Sequence, residues 1–257
     1  MPVDTKRING PSVTQSLSSF RKILTDKPLL NKDGRRSDGR EHREIRPIYL
    51  KAGTVKKANG SAYLETDGTK LICAVYGPRD NPKRHDFMST GTLTCEFSYA
   101  PFAREERIID HQERLSREYS EIIIESLSCA VCLESYPKAQ IDVYVKVLED
   151  NGNTLSHAMV VASVALADAG IEMLDLVTSC SAVYNDAVML NDPSNFELTH
   201  HDILGKVAIA YLPSLNQISC LLKDGEQSTE DSIKSVNACI ESCLRVHSVM
   251  RECLTNS

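Results

Sequence analysis

Residues 148–192, LEDNGNTLSHAMVVASVALADAGIEMLDLVTSCSAVYNDAVMLND, carry the patterns that decide the fold. A polar turn at the start of this stretch leads into residues 155–169, which lack Gly and Pro and are rich in Ala, Val and Leu. The pattern predicts a helix that is capped by Asn153 or Thr154 and ended by Gly170. The small side chains along this helix would let it lie close against a sheet.

The residues after this helix predict a strand, a short turn and a second strand, over residues 176–184 and 185–192. The start of the helix is a ready anion site, because its unpaired N–H groups and its dipole both favour negative charge. Asp186 and Asp192 would point to the same face of an extended strand. An anion site beside two carboxylates is typical of phosphoryl chemistry, although Asp at a strand boundary also favours turns.

Composition indicates a globular protein without an overall attraction to nucleic acid. The 257 residues suffice for one large α/β domain or two small ones, and 42% are hydrophobic and 25% charged. A net charge of -6 means that any RNA contact must be local. With 5% aromatic residues and no Trp, the chain does not favour a base-stacking platform.

Neither a membrane segment nor a metal site is predicted. No apolar run approaches the ~20 residues of a membrane helix, and no secretion leader is evident, so we expect a soluble intracellular protein. The nine cysteines lie mostly in apolar runs and lack the paired spacing of zinc ligands, which predicts reduced, packed thiols and no cofactor. His200 and His201 follow one another in a polar stretch, which favours an exposed loop pair over a ligand pair.

The remaining periodicity predicts a layered fold of class α/β (α+β), with βαβ units, mixed sheets and flanking helices. Residues 1–33 are interpreted as an N-terminal arm and residues 34–257 as a single domain. Strands are predicted at 47–50, 60–65, 69–76, 92–99, 141–148, 206–212 and 217–223, helices at 116–135 and 228–254, and a long surface loop at 79–91. In the last helix, Ile233 and Leu244 are among the residues predicted to face inward.

Several short motifs, in order along the chain, resemble the RNase PH family. They are Arg36-Ser-Asp-Gly-Arg40, Arg46-Pro47, Gly60-Ser61-Ala62, Gly68-Thr-Lys70, Gly77-Pro78-Arg79, Tyr136-Pro137-Lys138, Ala165-Leu-Ala-Asp-Ala-Gly170-Ile171, Met173-x-Asp175-Leu176 and Pro213-Ser-Leu-Asn216-Gln217. Their order and spacing cover roughly residues 35–250. Without the resemblance, the segment from Arg36 to Arg40 would be interpreted as a solvated loop with a turn at Asp38-Gly39.

The resemblance implies an RNase PH-like fold and phosphorolysis, in which inorganic phosphate attacks the 3'-terminal linkage of RNA. A Gly-Ser/Thr-Arg turn at a helix start would hold the phosphate, and the matching residues here are Gly152, Asn153 and Thr154. The guanidinium is therefore missing at Thr154. Loss of one preorganised donor of this kind costs about 3 to 4 kcal/mol of transition-state stabilisation. Asp186 and Asp192 match the family's acidic pair, and we interpret them as vestigial.

The resemblance also implies cationic contacts to RNA phosphates. Arg114 matches one of a pair of family arginines, while its neighbour is Leu115. Lys138 replaces an Arg and retains the charge without the bidentate fork. Arg104, Arg107 and Arg117 are weaker candidates, because acidic residues alternate with them in the sequence.

From these matches we expect a non-catalytic RNase PH-like subunit of the RNA exosome, acting in rRNA and other RNA processing and degradation. The expected partners are other RNase PH-like subunits in a hetero-hexameric ring, small RNA-binding cap subunits and single-stranded RNA, with no membrane. We expect it in the nucleus, nucleolus and cytoplasm. An active phosphorolytic 3'-to-5' exoribonuclease is the alternative, and an RNA-binding adaptor outside any ring is disfavoured by the acidic net charge.

Overall fold

The computed structural model describes residues 28–31, 34–80, 89–104, 109–185 and 188–256, with the side chains of residues 109–112 left out. The N-terminal arm predicted at residues 1–33 lies almost entirely outside this part of the chain. Of the arm, residues 28–31 are described, and Leu29 packs against Val183 and Leu190.

Five strands form the first sheet, in the order β1-β2-β3-β5-β4. Their bounds are Tyr49–Ala52 (β1), Gly60–Thr66 (β2), Thr69–Asp80 (β3), Thr92–Tyr99 (β4) and Ala139–Glu149 (β5). Strands β4 and β5 are parallel and the other pairs antiparallel. Helix α1 (Ile109–Ser128) connects the parallel pair and packs on β4, as a parallel crossover requires.

Four antiparallel strands form the second sheet, in the order β7-β6-β8-β9. Their bounds are Thr178–Tyr184 (β6), Met189–Asn191 (β7), Gly205–Leu212 (β8) and Gln217–Gly225 (β9). Helix α2 (Thr154–Asp168) precedes this sheet, the one-turn helix α3 (Asn195–Leu198) follows β7, and helix α4 (Thr229–Thr255) closes the chain.

Helix α2 packs against strands of both sheets, and almost its whole length is buried. Its alanines let the first sheet approach closely: a Cβ built on Gly60 would lie 2.3 Å from the Ala165 carbonyl oxygen. Only glycine fits at this contact. Ala210 and Leu212 of the second sheet share one hydrophobic core with the residues of α2 and the first sheet, so both sheets are built around this helix.

Two helix predictions differ from the structure. The helix predicted at 116–135 begins earlier, at Ile109, and ends at Ser128. Its apolar pattern continues beyond the helix because Val131 forms a bridge with Met173. In α4, Ile233 and Leu244 are 58% and 48% exposed rather than inward. The buried stripe runs instead through smaller residues: Ser235, Ala238, Cys239, Ser242, Cys243, Val246 and Met250.

The nine cysteines are free thiols: four are buried, four are half-buried and Cys129 is exposed, so the prediction of packed thiols is wrong at Cys129. Of the helices in the described ranges, none has the length and apolar character needed to cross a membrane.

Candidate functional site

A cleft with a volume of about 350 Å³ lies where the start of α2 meets the second sheet. Tyr119 and Ile122 of α1 line it from one side, and Leu155 and Ser156 line it at the first turn of α2. The remaining lining residues come from the turn before α2, three strands of the second sheet and the segment around α3: Asn153, Ser181, Ala182, Val183, Pro193, Leu198, Lys206, Val207, Ala208, Leu222, Lys223 and Asp224. The cleft is therefore at the helix start that the sequence predicted as an anion site.

The turn before α2 depends on Gly152, whose φ of 86° favours glycine. A Cβ at this position would lie 2.7 to 2.8 Å from backbone atoms of residues 193–195. Asn153 follows in the left-handed region with a φ of 57°, which Asn tolerates better than most residues. The two residues turn the chain sharply enough for α2 to begin directly at the cleft.

Neither predicted cap acts as one. Asn153 occupies the N-cap position, but its side chain makes no capping hydrogen bond. Its amide donates to Asp192 Oδ1 at 2.8 Å and its oxygen accepts from the Ser181 hydroxyl. Thr154 is the first helical residue, and its hydroxyl donates to Asp150. The tertiary contacts of these side chains thus take precedence over local capping.

Leu155 projects into the cleft, whereas Thr154 is 5% exposed and is directed to Asp150. The sequence analysis placed the missing phosphate-binding cation at Thr154, and that match to the family stays a prediction. A cation reaching the cleft from the first turn of α2 would have to come from position 155, which is Leu. The first turn therefore presents the apolar side chain of Leu155, rather than a charge, to the cleft.

Ser156 is a polar group that sequence reasoning missed. Its side chain lines the cleft, is buried, and has no hydrogen-bond partner for its hydroxyl. No acidic residue lies in the first turn of α2. The free hydroxyl and the helix dipole together favour an anion at the bottom of the cleft.

Lys206 and Lys223 supply the positive charge among the described lining residues, and no guanidinium lines the cleft there. The Lys206 ammonium lies 3.6 Å from the Asp224 carboxylate, which lines the same cleft. Lys223 donates to the Ser232 hydroxyl. The described lining residues thus offer an anion no guanidinium that could donate two parallel hydrogen bonds, and the Asp224 carboxylate offsets part of the positive charge of Lys206.

Asp192 is buried in an ion-pair network rather than exposed on a strand. Its carboxylate accepts hydrogen bonds from Arg46 Nε at 2.9 Å and Nη2 at 2.7 Å, from the Arg46 backbone N–H, and from Asn153. Arg40 Nη1 lies 3.5 Å away. Burial by itself raises the pKa of Asp192, but the hydrogen bonds and charge of Arg46 outweigh burial and hold this pKa below its ordinary value.

This geometry gives Asp192 a structural role. A carboxyl that is 2% exposed and ionised at neutral pH has no proton to donate and no access to a substrate. The sequence predicted that Asp192 shares a strand face with Asp186. This prediction is wrong for Asp192, because Asp192 follows the end of β7 and has a φ of 50°, which is not extended. Asp186 itself lies outside the described residues, and its vestigial role stays a prediction.

The two arginines that flank the turn at Asp38-Gly39 are buried, whereas residues 37–39 between them are exposed. The solvated-loop interpretation therefore holds for the turn but not for Arg36 and Arg40. The Arg36 side chain is fully buried, and its guanidinium pairs with Glu197 and donates to the carbonyls of Asn191 and Asp192. Asp38 accepts from Arg40 Nε at 2.6 Å. These arginines fasten the chain before β1 to the end of β7 and to α3.

His157 lies next to Asp192 on α2, and its Nε2 is 3.8 Å from Asp192 Oδ1. This nitrogen has no hydrogen-bond partner and is buried. Burial is the main cause that lowers the pKa of His157 to about 4, with Asp192 opposing the shift and Arg46 adding to it. The imidazole is therefore neutral in the folded protein at neutral pH.

We expect His157→Leu to flatten the pH dependence of stability. The pKa of the imidazole is 6.5 in the unfolded state and about 4 in the folded state, so the unfolded state binds more protons between these two pH values. Titration of His157 therefore leaves the free energy of unfolding unchanged above pH 6.5 and lowers it by up to about 3 kcal/mol as the pH drops towards 4. Urea unfolding at pH 7, 6 and 5 measures the slope.

The control for this experiment is His201→Leu, because His201 is largely exposed. The control is expected to retain the slope of the original chain between pH 7 and 5. Equal slopes in the original chain and in His157→Leu would refute the assignment.

The cations predicted to bind RNA do not form one cluster. Arg114 and Arg117 are exposed on α1, one turn apart. Lys138 is exposed just before β5, whereas Arg104 pairs with Asp150 just after the same strand, at 2.6 Å. The length of β5 separates these two by roughly 30 Å.

Arg104 also stacks over the Tyr99 ring, with its guanidinium carbon 4.1 Å from the ring centroid. It thereby positions Asp150, which accepts from the Gly152 N–H and the Thr154 hydroxyl. Arg104 therefore supports the turn before α2. Arg107 lies outside the described residues.

The two-sheet α/β architecture is shared with solved structures, among them one of an archaeal exosome. Rice Rrp46 superposes with a TM-score of 0.74 at 19% identity, covering 84% of this chain and 98% of that one. A structure described as the Archaeoglobus fulgidus exosome with RNA bound to the active site gives 0.71 at 21% identity, covering 90% and 98%. At these identities the likeness shows the fold alone, and it confirms the predicted fold class.

Sequence comparison gives the family. Residues 44–172 match the RNase PH model, described as the 3' exoribonuclease family, domain 1. The protein named exosome complex component Rrp41 from Pyrococcus furiosus is 39% identical over 227 residues, which are 88% of this chain and 90% of the relative. Its namesake from Thermoplasma acidophilum is 34% identical over 229 residues, or 89% and 92%. This chain belongs to the RNase PH family, as its motifs indicated.

Proposed function

We propose that this protein is a non-catalytic RNase PH-like core subunit of an RNA exosome ring. It scaffolds the ring and helps guide single-stranded RNA for 3'-to-5' processing and degradation. The proposal is supported by family membership, by relatives named as exosome components, and by the composition of the cleft.

The observation that carries the inactive role is the first turn of α2. It retains the helix-start donors and the Ser156 hydroxyl, but Leu155 occupies the place from which a cation would grip an attacking phosphate. Charge-assisted bidentate bonds to a dianion are the strong ones, and the described lining residues provide none. Asp192, one of the two matching acids, is committed to Arg46.

The proposed partners are other RNase PH-like subunits in a hetero-hexameric ring, small RNA-binding cap subunits, and single-stranded RNA held through its phosphates. The exposed Arg114 and Arg117 suit such sequence-independent contacts. The N-terminal sequence, with Met1-Pro-Val-Asp4, Lys6-Arg7-Ile8 and Gly10-Pro11, resembles the arm of the MTR subunit of the eukaryotic ring. We place the protein in the nucleus, nucleolus and cytoplasm.

The test is degradation of a single-stranded RNA with inorganic phosphate and Mg²⁺, by the purified chain and by the ring reconstituted with its RNase PH-like partners. No phosphate-dependent release of nucleoside diphosphates is expected from this subunit. RNA retention by the ring is expected to fall when Arg114 and Arg117 are both changed to Ala, because two phosphate contacts are removed.

An active phosphorolytic exoribonuclease is the second candidate, favoured by the Ser156 hydroxyl and the Lys206 ammonium lining one cleft. Its signature would be nucleoside diphosphate release that requires phosphate and disappears in Lys206→Ala or Asp186→Ala. The control is Lys234→Ala, which removes an exposed ammonium of α4 that pairs with Asp231. Such a result would overturn the non-catalytic proposal.

A further inference from the structure

The loop between α3 and β8 brings together two imidazoles and a carboxylate. His200, His201 and Asp202 each offer one donor atom, and all three atoms lie within 4.8 Å of one another. Among the residues that the structure describes, this is the one group of His, Cys, Asp or Glu side chains with such convergence. The group lies outside the ion-pair network around Asp192. None of its three residues lines the cleft, and none belongs to the predicted acidic pair.

Two of the distances within this group, one to each oxygen of Asp202, are close to those of a tetrahedral coordination sphere. Asp202 Oδ1 lies 3.1 Å from His201 Nε2, and Asp202 Oδ2 lies 3.5 Å from His200 Nδ1. A metal ion bound at ~2.0 to 2.2 Å from each ligand in tetrahedral geometry separates its ligands by about 3.4 Å. The two nitrogen-oxygen separations bracket this value, so small side-chain rotations would admit an ion.

The surroundings fix one ligand and leave the others accessible. His200 is 5% exposed, so the predicted exposed loop pair is wrong at His200, and its ring packs edge-on against Phe196 with centroids 5.5 Å apart. His201 stacks on His200 with centroids 4.5 Å apart, while its own side chain and that of Asp202 are 71% and 47% exposed. The Asp202 backbone N–H points to His200 Nδ1 at 3.3 Å, a long hydrogen bond that a metal would replace. An ion can therefore enter from solvent onto a partly preorganised set.

We propose that His200, His201 and Asp202 form a binding site for a divalent transition-metal ion of the zinc type, completed by water. Imidazole nitrogen with one carboxylate oxygen is a donor set that Zn²⁺, Co²⁺ and Ni²⁺ accept, whereas Mg²⁺ and Ca²⁺ prefer oxygen alone. Leu198, which lines the cleft, lies two residues before His200. A bound ion would tie the loop together at the rim of the cleft and restrict its motion.

The experiment is a Co²⁺ titration of the metal-free, untagged chain, followed by visible absorption. One equivalent is expected to bind and give ligand-field bands without the near-ultraviolet charge-transfer band of thiolate ligation, which excludes the nine cysteines as ligands. Zn²⁺ is expected to displace Co²⁺ and to raise the melting temperature of the chain, since an ion that binds only the folded state stabilises it.

Two variants locate the site. His201→Ala and Asp202→Asn each remove one ligand at an exposed position, and each is expected to weaken Co²⁺ binding at least about tenfold with the fold intact. His247→Ala, which changes a histidine on α4, is the matched control and is expected to bind as the original chain does. Absence of stoichiometric binding, or binding that neither variant weakens, would overturn the proposal. Neither outcome bears on the phosphorolysis assay.

Discussion

Asp192→Asn is expected to lower the free energy of unfolding by about 3 to 5 kcal/mol, because it leaves buried guanidinium groups without their carboxylate. Arg46 is 2% exposed and makes a bidentate pair with Asp192, and Arg40 approaches the same carboxylate. Asn retains the size of Asp and tolerates the φ of 50°, so the change isolates the loss of charge. Urea unfolding monitored by circular dichroism at pH 7 measures the difference.

Asp224→Asn provides the matched control, because its carboxylate is 76% exposed and pairs with Lys206 at the surface. Exposed pairs of this kind contribute about 0 to 1 kcal/mol. If Asp192 were a catalytic acid with no structural role, both variants would have nearly the stability of the original chain. Equal stabilities would thus contradict the buried-network assignment.

Arg36→Met is expected to destabilise the protein by a similar amount, about 3 to 5 kcal/mol. Glu197 would be fully buried without its cationic partner, and the carbonyls of Asn191 and Asp192 would lose a donor. Arg43→Met serves as the control, since Arg43 is 68% exposed and its contact with Glu241 is 3.7 Å long. The same urea experiment distinguishes the two changes.

A double variant separates the buried charge from the loss of packing. Glu197 also accepts from the Ser194 N–H in a capping box at the start of α3, and Gln can keep that hydrogen bond. Arg36→Met with Glu197→Gln is therefore expected to be more stable than Arg36→Met alone, because no unpaired charge remains buried. A double variant less stable than the single one would argue that packing, not charge, dominates at Arg36.

The elements of the fold could be predicted because their apolar periodicity is local. Helix α2 lies within one residue of the predicted range at each end, and the strands from Gly60 to Tyr99 were located from their composition and turn residues. The N-terminal end of the first long helix was misplaced because residues 109–115 lack the apolar stripe. Helix α3 was not predicted because its four residues are too few to show the apolar periodicity of a helix.

The candidate site could be predicted only in outline. Composition and motif order pointed to the start of α2. Sequence alone could not show that Thr154 is directed to Asp150 while Leu155 lines the cleft. The direction in which a first-turn side chain points depends on Gly152 and on the Asp150 carboxylate that holds Thr154. Nothing in the local sequence marks Ser156 or Lys206 as functional, because their importance comes from lining the cleft in the folded chain.

The sequence by itself determined the family, the alternation of strands and helices, and the absence of an arginine in the first turn of α2. These properties depend on residue identity and on spacings within one element. The tertiary structure alone decided that Asp192 is a buried counterion of Arg46 and that Arg36 is enclosed with Glu197. The partners in these pairs are more than a hundred residues apart in the chain, and folding replaces the water around their charges with one another.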